Sequence, residues 1–280
     1  MKKYFSSPTT YVAMALGVIT MDLLTSLQSS LFGVTKPLAG YILPTFIGAL
    51  TGFLLSAIRL RSLEQNQNQK NFFFGIVQSL SMALDVRDAY TYGHSSRVTI
   101  LSVALGRRIG LNKAQLEALE LGGILHDIGK IGISDTILNK PETLTAEEFK
   151  IVQTHPVKGE QILNASNSPK SKMISECIRS HHERYDGTGY PDGLKGDAIP
   201  ALARIITISD AFDAMISSRP YRGCKMTIRQ AMEELGRCSG SQFDPMLVAE
   251  FEKMLASEEG LLGKSVDGIF NPGGVYTQAV

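Results

Sequence analysis

Cysteine is scarce in this chain: Cys177, Cys224 and Cys238 are the only three in 280 residues. Too few and odd in number for a disulfide framework, they point to a reducing compartment. Net charge is nearly absent as well, at +1. That removes the global basic footprint of a nucleic-acid binder, so no DNA partner is expected. Alternating strand patterns are rare and no repeat period is visible, which excludes a β-rich or solenoid architecture. What is present is apolar material, 44% of residues against 20% charged, enough for a folded core and too much for a disordered chain. The length fits one domain or two.

The little charge there is lies unevenly. Residues 1–71 hold six Lys/Arg against Asp22 and Glu64, a net +4, and the remainder carries 22 bases against 25 acids, a net −3. From Pro37 to Ile58 no residue is charged. A helix of that length spans about 33 Å, enough for a hydrocarbon core of about 30 Å. Pro44 inside it is read as a membrane-tolerated kink. Tyr4–Met21 is a second uncharged run, with no small-residue cleavage site of the signal-peptide kind. Asp22 falls at the edge of a span Tyr4–Met21, the reading preferred here, or near the middle of a span Thr10–Leu31, where it should face a partner helix. Lys2 and Lys3 precede the first span, and Arg59 and Arg61 follow the second. The positive-inside rule then puts both termini in the cytoplasm and a short turn outside. Residues 1–61 are therefore expected to form a two-helix anchor in the inner membrane. Residues 62–72, with Gln65–Gln69, form a polar linker or a helix running into the next domain.

From about residue 73 the apolar positions recur at helical spacing, as in Phe73, Val77, Leu80 and Leu84, and a set of roughly nine helices is expected. Thr145 with Glu148 three residues later is a capping-box signature. A loop rich in Gly and Pro, Tyr185–Pro200, separates His181-His182 from the helix that starts near Leu202.

All five histidines, His94, His126, His155, His181 and His182, fall in this second portion. Imidazole and carboxylate suit borderline divalent metals, and a carboxylate can bridge two ions. Neighbours on a helix point about 100° apart, so His181 and His182 can share a site only if their helix ends there. One histidine alone is better read as core or surface. The set, spread over separate helices with Asp127 and Asp210, reads as a metal cluster.

The motifs in order are Tyr-Gly-His-Ser-Ser-Arg-Val (92–98), His-Asp-Ile-Gly-Lys (126–130), His-Pro (155–156), His-His-Glu-Arg-Tyr-Asp-Gly-Thr-Gly-Tyr-Pro (181–191), Ser-Asp-Ala-Phe-Asp-Ala-Met (209–215) and Arg-Pro-Tyr-Arg (219–222). They resemble the HD-GYP family of metal-dependent phosphohydrolases from about Val77 to Leu255. The resemblance implies an all-α HD-domain bundle extended by the GYP region, over residues 73–280. It implies metal ligands at His94, His126, Asp127, His155, His181, His182 and Asp210, with Asp127 bridging two divalent ions. The division would be His94, His126 and Asp210 on one ion and His155, His181 and His182 on the other. Some relatives add a third ion through a glutamate four residues before the first histidine. Here that position is Tyr90, so a dinuclear site is expected, iron or manganese by ligand type, with Asp88 nearby as the alternative route to a third ion.

Two ions about 3.5–4 Å apart suit phosphodiester hydrolysis by a bridging hydroxide. Lys130, three residues after Asp127, is expected to stabilise transition-state charge and bind substrate, its rival role being a solvated lysine at a helix end. Arg219 and Arg222 are carried over as substrate-binding, with a structural ion pair as the rival for one of them. Gly189 and Tyr190 of the Gly-Tyr-Pro loop are carried over likewise. Arg97 is expected to be structural and Asp213 to support a ligand. The resemblance implies hydrolysis of cyclic di-GMP to pGpG, with GMP as the product of a second cut. The alternatives are another cyclic dinucleotide or a catalytically silent cyclic di-GMP receptor. A homodimer and a diguanylate-cyclase-type signalling protein are the expected protein partners.

Overall fold

The computed structural model describes residues 7–33, 37–88, 93–164, 169–217 and 225–256. Among them the regular structure is helical, and the one β feature is an isolated bridge between Ser239 and Phe243. The chain divides into two compact units, residues 1–75 and 76–280.

The first unit contains α1 (Pro8–Phe32) and most of α2 (Ile42–Arg87), two helices long and apolar enough to cross a membrane. Pro8 enters α1 at its first turn, where a missing N–H costs no hydrogen bond, and Gly33 ends it in the left-handed region at φ 63°. Where the two helices meet, the backbones touch. A Cβ at Gly17 or Gly48 would overlap the other helix's main chain. Thr10 and Ser56 hydroxyls bond across the pair at 3.0 Å. Asp22 lies near the middle of α1 and accepts a hydrogen bond from Thr45 of α2 at 3.0 Å, so its carboxylate faces the neighbouring helix. Pro44 is also corrected. A 3-10 turn, Leu38–Tyr41, precedes α2, so Pro44 is its third residue rather than a mid-helix kink. Residues 62–72 are helical throughout.

The second unit is built on α3 (His94–Arg108), α4 (Lys113–Leu125), α7 (His155–Leu163), α8 (Pro169–Ser180) and α9 (Ala201–Ile216). Short helices α5 (Asp135–Leu138) and α6 (Ala146–Val152) lie between α4 and α7, and α10 (Ile228–Arg237) and α11 (245–256) follow α9. Capping boxes start α4 at Asn112, α6 at Thr145 and α10 at Thr227. Helix α9 packs against α3, α4, α8 and α10. It carries Ile205, Ile206 and Ile208, all fully buried, a β-branched run with low helix propensity that central packing overrides. Val98, Leu105, Leu119, Ile178, Leu235 and the Phe212–Phe251 ring pair complete this core.

Candidate metal centre

Most of the histidines stand where a helix begins or ends. His94 opens α3 and His155 opens α7, while His126 caps the C-terminus of α4 and is followed by Asp127. Helix α8 stops at Ser180, and the turn after it presents His181 and His182 with ring centroids 4.0 Å apart. A helix terminus lets adjacent side chains turn to one side, which a helix interior forbids. Asp210, by contrast, projects from within α9.

The 3-10 turn Ile128–Gly132 after Asp127 lies against the start of α7. Gly129 permits this approach, because a Cβ there would overlap the carbonyl of His155. Thr207 of α9 donates from Oγ1 to the His181 carbonyl at 2.7 Å, which ties the end of α8 to the central helix.

The ring nitrogens are already divided between two jobs. Nδ1 of His126, His155 and His181 bonds to the carbonyl three residues earlier, on Gly123, Val152 and Ile178, at 2.8, 2.8 and 2.6 Å. A carbonyl only accepts, so each Nδ1 carries a hydrogen, and in the neutral form of each ring Nε2 is the nitrogen left for a metal. The Nε2 atom of His126 is buried without a hydrogen-bond partner. The Nε2 atoms of His155 and His181 lie 3.3 Å apart. Asp127 joins them, with Oδ1 3.2 Å from His155 Nε2 and Oδ2 3.4 Å from His126 Nε2. His94 gives Nδ1 to Asp213 Oδ2 at 2.7 Å and sets Nε2 3.2 Å from Asp210 Oδ1.

Two groups of potential ligands result, Asp127 with His155, His181 and His182, and His94 with His126 and Asp127. Asp127 belongs to both. Asp210, which the sequence places with His94 and His126, lies beside His94.

Electrostatics separate protons from other cations here. Burial works against charge on His94, but hydrogen bonds to Asp210 and Asp213 outweigh it and hold its pKa up at about 9. Burial and the neighbouring His155 push His182 down to about 3, and burial with three imidazole neighbours holds His181 well below the usual range. Despite burial, Lys130 and His126 keep Asp127 well below the ordinary carboxylate range, and His94 does the same for Asp210. Ionised carboxylates beside His181 and His182, which resist protons, are donors suited to divalent cations.

Lys130 is paired rather than free in solvent. Its ammonium lies 2.8 Å from Asp127 Oδ2 and 2.9 Å from Asp88 Oδ2, and both carboxylates raise its pKa against the opposing effect of burial. Arg97 donates to Asp213 from Nε at 2.6 Å and from Nη2 at 3.0 Å. Tyr190 tilts over His182 at a centroid distance of 4.9 Å. Gly189 packs against the main chain of His182–Arg184, where a Cβ would collide. Arg219, Arg222 and Tyr90 lie outside the described residues.

The sequence did not single out Glu183, although it adjoins the two histidines. Its buried carboxylate accepts from the N–H groups of Asp192 at 2.7 Å and Leu194 at 3.1 Å, pinning the loop that carries Tyr190. Arg179 bonds Asp192 through Nε and Nη2, both at 2.7 Å, and Arg204 bonds Asp197 and Asp244 at 2.8 and 2.6 Å. Main-chain bonds tie Tyr185 to Gln242 and Asp186 to Ser241.

An all-α bundle gathering histidines and Asp127 at its helix ends, with Asp210 from within α9, defines a metal-binding helical domain. The chain belongs to the HD domain family, which matches residues 78–247. A cyclic di-GMP phosphodiesterase of Thermotoga maritima is 40% identical over 185 residues, covering 66% of this chain and 50% of that protein. A 3'3'-cGAMP-specific phosphodiesterase 3 of Vibrio cholerae is 39% identical over 180 residues, covering 64% of this chain and 38% of that protein. The solved structure of a cyclic GMP-AMP-specific phosphodiesterase of V. cholerae matches with a TM-score of 0.53 at 22% identity, over 70% of this chain and 52% of that one, and shows the shared fold. The chain spans about half or less of the length of these relatives.

Proposed function

We propose that this chain is a metal-dependent phosphodiesterase of the HD-GYP kind. It hydrolyses cyclic di-GMP to linear pGpG, with GMP as the product of a second cut. The observation that carries the reading is the convergence of Nε2 atoms from His126, His155 and His181 on the ionised carboxylate of Asp127.

In this reading His94, His126 and Asp210 hold one divalent ion, His155, His181 and His182 hold the other, and Asp127 bridges them. Iron and manganese are the ions the donor set suits best. Bound there, the pair would supply a water acidified for attack on phosphorus and positive charge against the phosphoryl oxygens. The side chains supply the rest. Asp127 stays ionised because Lys130 stands beside it. Lys130 brings a fixed positive charge to the edge of the cluster, suited to a phosphate oxygen whose charge grows during the reaction. Tyr190 offers an aromatic face next to His182 for a purine, and Arg219 and Arg222 are assigned to the substrate's phosphates and guanine edges.

We assign residues 1–61 to a helical hairpin in the inner membrane, residues 62–72 to the connection and residues 73–280 to a cytoplasmic catalytic domain. The length and apolar character of α1 and α2 and the flanking Lys2, Lys3, Arg59 and Arg61 support this. Resistance of the full chain to alkaline carbonate extraction from membranes tests it, and release into the supernatant refutes it.

A second reading is hydrolysis of 3'3'-cGAMP, favoured by the Vibrio relative at 39% identity. Anaerobic incubation of the full chain, loaded with Fe²⁺ or Mn²⁺, with each cyclic dinucleotide in turn separates the two. Faster turnover of cyclic di-GMP, abolished by Asp127→Ala, is the expected result. Binding of cyclic di-GMP without turnover under any metal would leave a receptor instead.

A further inference from the structure

Arg87 is the last residue of α2, and its guanidinium is spent on a single short segment of chain. Nη1 donates to the carbonyls of Lys130 and Ile131, each at 3.1 Å, and Nη2 to the carbonyl of Ile133 at 2.5 Å. Nε donates to Asp135 Oδ1 at 2.7 Å, and Asn139 Nδ2 returns a bond to the Arg87 carbonyl at 3.1 Å. The carbonyls it collects belong to the C-terminal end of the 3-10 turn Ile128–Gly132 and the residue after it, and that of Lys130 also accepts the Ile133 N–H at 3.0 Å. Three carbonyls and a carboxylate around one side chain require a planar, five-donor fork; an ammonium of the same charge has neither the reach nor the geometry.

The neighbouring residue holds the other end of the same lysine. Asp88 Oδ2 accepts from Lys130 Nζ at 2.9 Å, and the same ammonium lies 2.8 Å from Asp127 Oδ2. Two consecutive residues thus fix Lys130, Arg87 through the backbone and Asp88 through the ammonium. Lysine has a long, freely rotating stem, so its charge stays at one place only when both ends are held.

We propose that Arg87 is a positioning residue for Lys130: it fixes the turn 128–133 so that the ammonium remains beside Asp127, directed at the phosphate to be cut. The assignment rests on the reading of Lys130 as the phosphate-binding lysine. It goes beyond that reading in placing the control of the lysine at the end of a helix that carries none of the cluster's ligands.

The test uses the full chain in detergent with Arg87→Ala, Arg87→Gln, Arg87→Lys, Lys130→Met and the double variant Arg87→Gln/Lys130→Met. Metal content and melting temperature are recorded for each. We expect Arg87→Gln to lower kcat for cyclic di-GMP about 10- to 100-fold at unchanged metal content, the scale of a misplaced catalytic group, with no rescue in Arg87→Lys. Lys130→Met should lose about 100- to 1,000-fold. The double variant should match Lys130→Met alone, since a residue acting through the lysine has nothing left to position. Independent multiplication of the two losses, or kcat in Arg87→Gln within about twofold of the wild type, would overturn the proposal. A second arm does not depend on turnover. Reductive methylation followed by mass spectrometry should modify Lys130 several-fold faster in both the Ala and the Gln variants than in the wild type, and equal rates would overturn the proposal. Should the wild type hydrolyse no cyclic dinucleotide, the phosphodiesterase reading falls while the methylation arm still decides whether Arg87 fixes Lys130.

Discussion

His155 and His181 stand Nε2 to Nε2 across 3.3 Å while the Nδ1 of each is spent on a backbone carbonyl. With both rings neutral, two lone pairs face each other there, an arrangement that a cation seated against both would stabilise. A second cation, Lys130, is already committed to Asp127 and Asp88.

Metal should therefore stabilise the domain directly. After chelation, Mn²⁺ at about 100 times its dissociation constant should add about 2.7 kcal/mol. For a domain of this size that is a rise of about 5–10 °C in Tm, readable by differential scanning fluorimetry. His181→Ala should remove most of the shift. A variant that keeps the full shift would exclude His181 from the ligands.

Asp213→Asn should weaken the site without touching it. Asp213 takes the Nδ1 hydrogen of His94 and is held by Arg97, so the amide leaves His94 free to turn. Losses of this type run about 10- to 100-fold in metal affinity or activity. Competition with a chromogenic chelator measures the affinity, and an unaltered value would show that His94 needs no such orientation.

Gly129→Ala should prise the turn 128–132 away from α7. The added methyl meets main chain at His155 and Gly159 rather than a side chain that can swing aside. Forcing atoms into such a contact costs about 1–3 kcal/mol. Chemical denaturation gives the stability change, and the same variant should lose activity because His155 and Asp127 are moved apart. Full stability would mean that the turn and α7 separate without cost.

Cys177 should resist alkylation in the folded protein. Burial pushes its thiol pKa well above the ordinary range, so raising the pH to 9 yields little thiolate, and the sulfur packs against Gly122. Cys238 is partly exposed and should react first. Timed iodoacetamide labelling with peptide mapping separates the two. Rapid native labelling of Cys177 would show that α8 opens readily from the core.

The histidines could be marked out in the sequence because helix ends leave written signs. Gly93, Pro156 and the Gly-rich stretch after His182 each announce a boundary, and boundaries are where these rings sit. The helical content was legible for the same reason, with Thr145 and Glu148 forming the capping box their spacing predicts. Pro44 misled because apolar character persists through Leu38–Tyr41, so composition could not show where the helix begins. Arg87 was unreadable in principle: three of its four acceptors are carbonyls, which every residue supplies. The partner of Asp22 needed the opposite helix, since Thr45 lies 23 residues away in the chain.

Residues 184–200, almost bare of regular structure, would ordinarily be pictured as a flap. Here Glu183 grips the loop from beneath, Arg179 and Arg204 clip it at Asp192 and Asp197, and main-chain bonds stitch its start to 241–242. A wall nailed down at that many points does not swing. On the proposed reading, discrimination between one purine messenger and another is then written in which atoms this fixed surface displays, and a change of preference should follow from exchanging single side chains on it, with no hinge to retune.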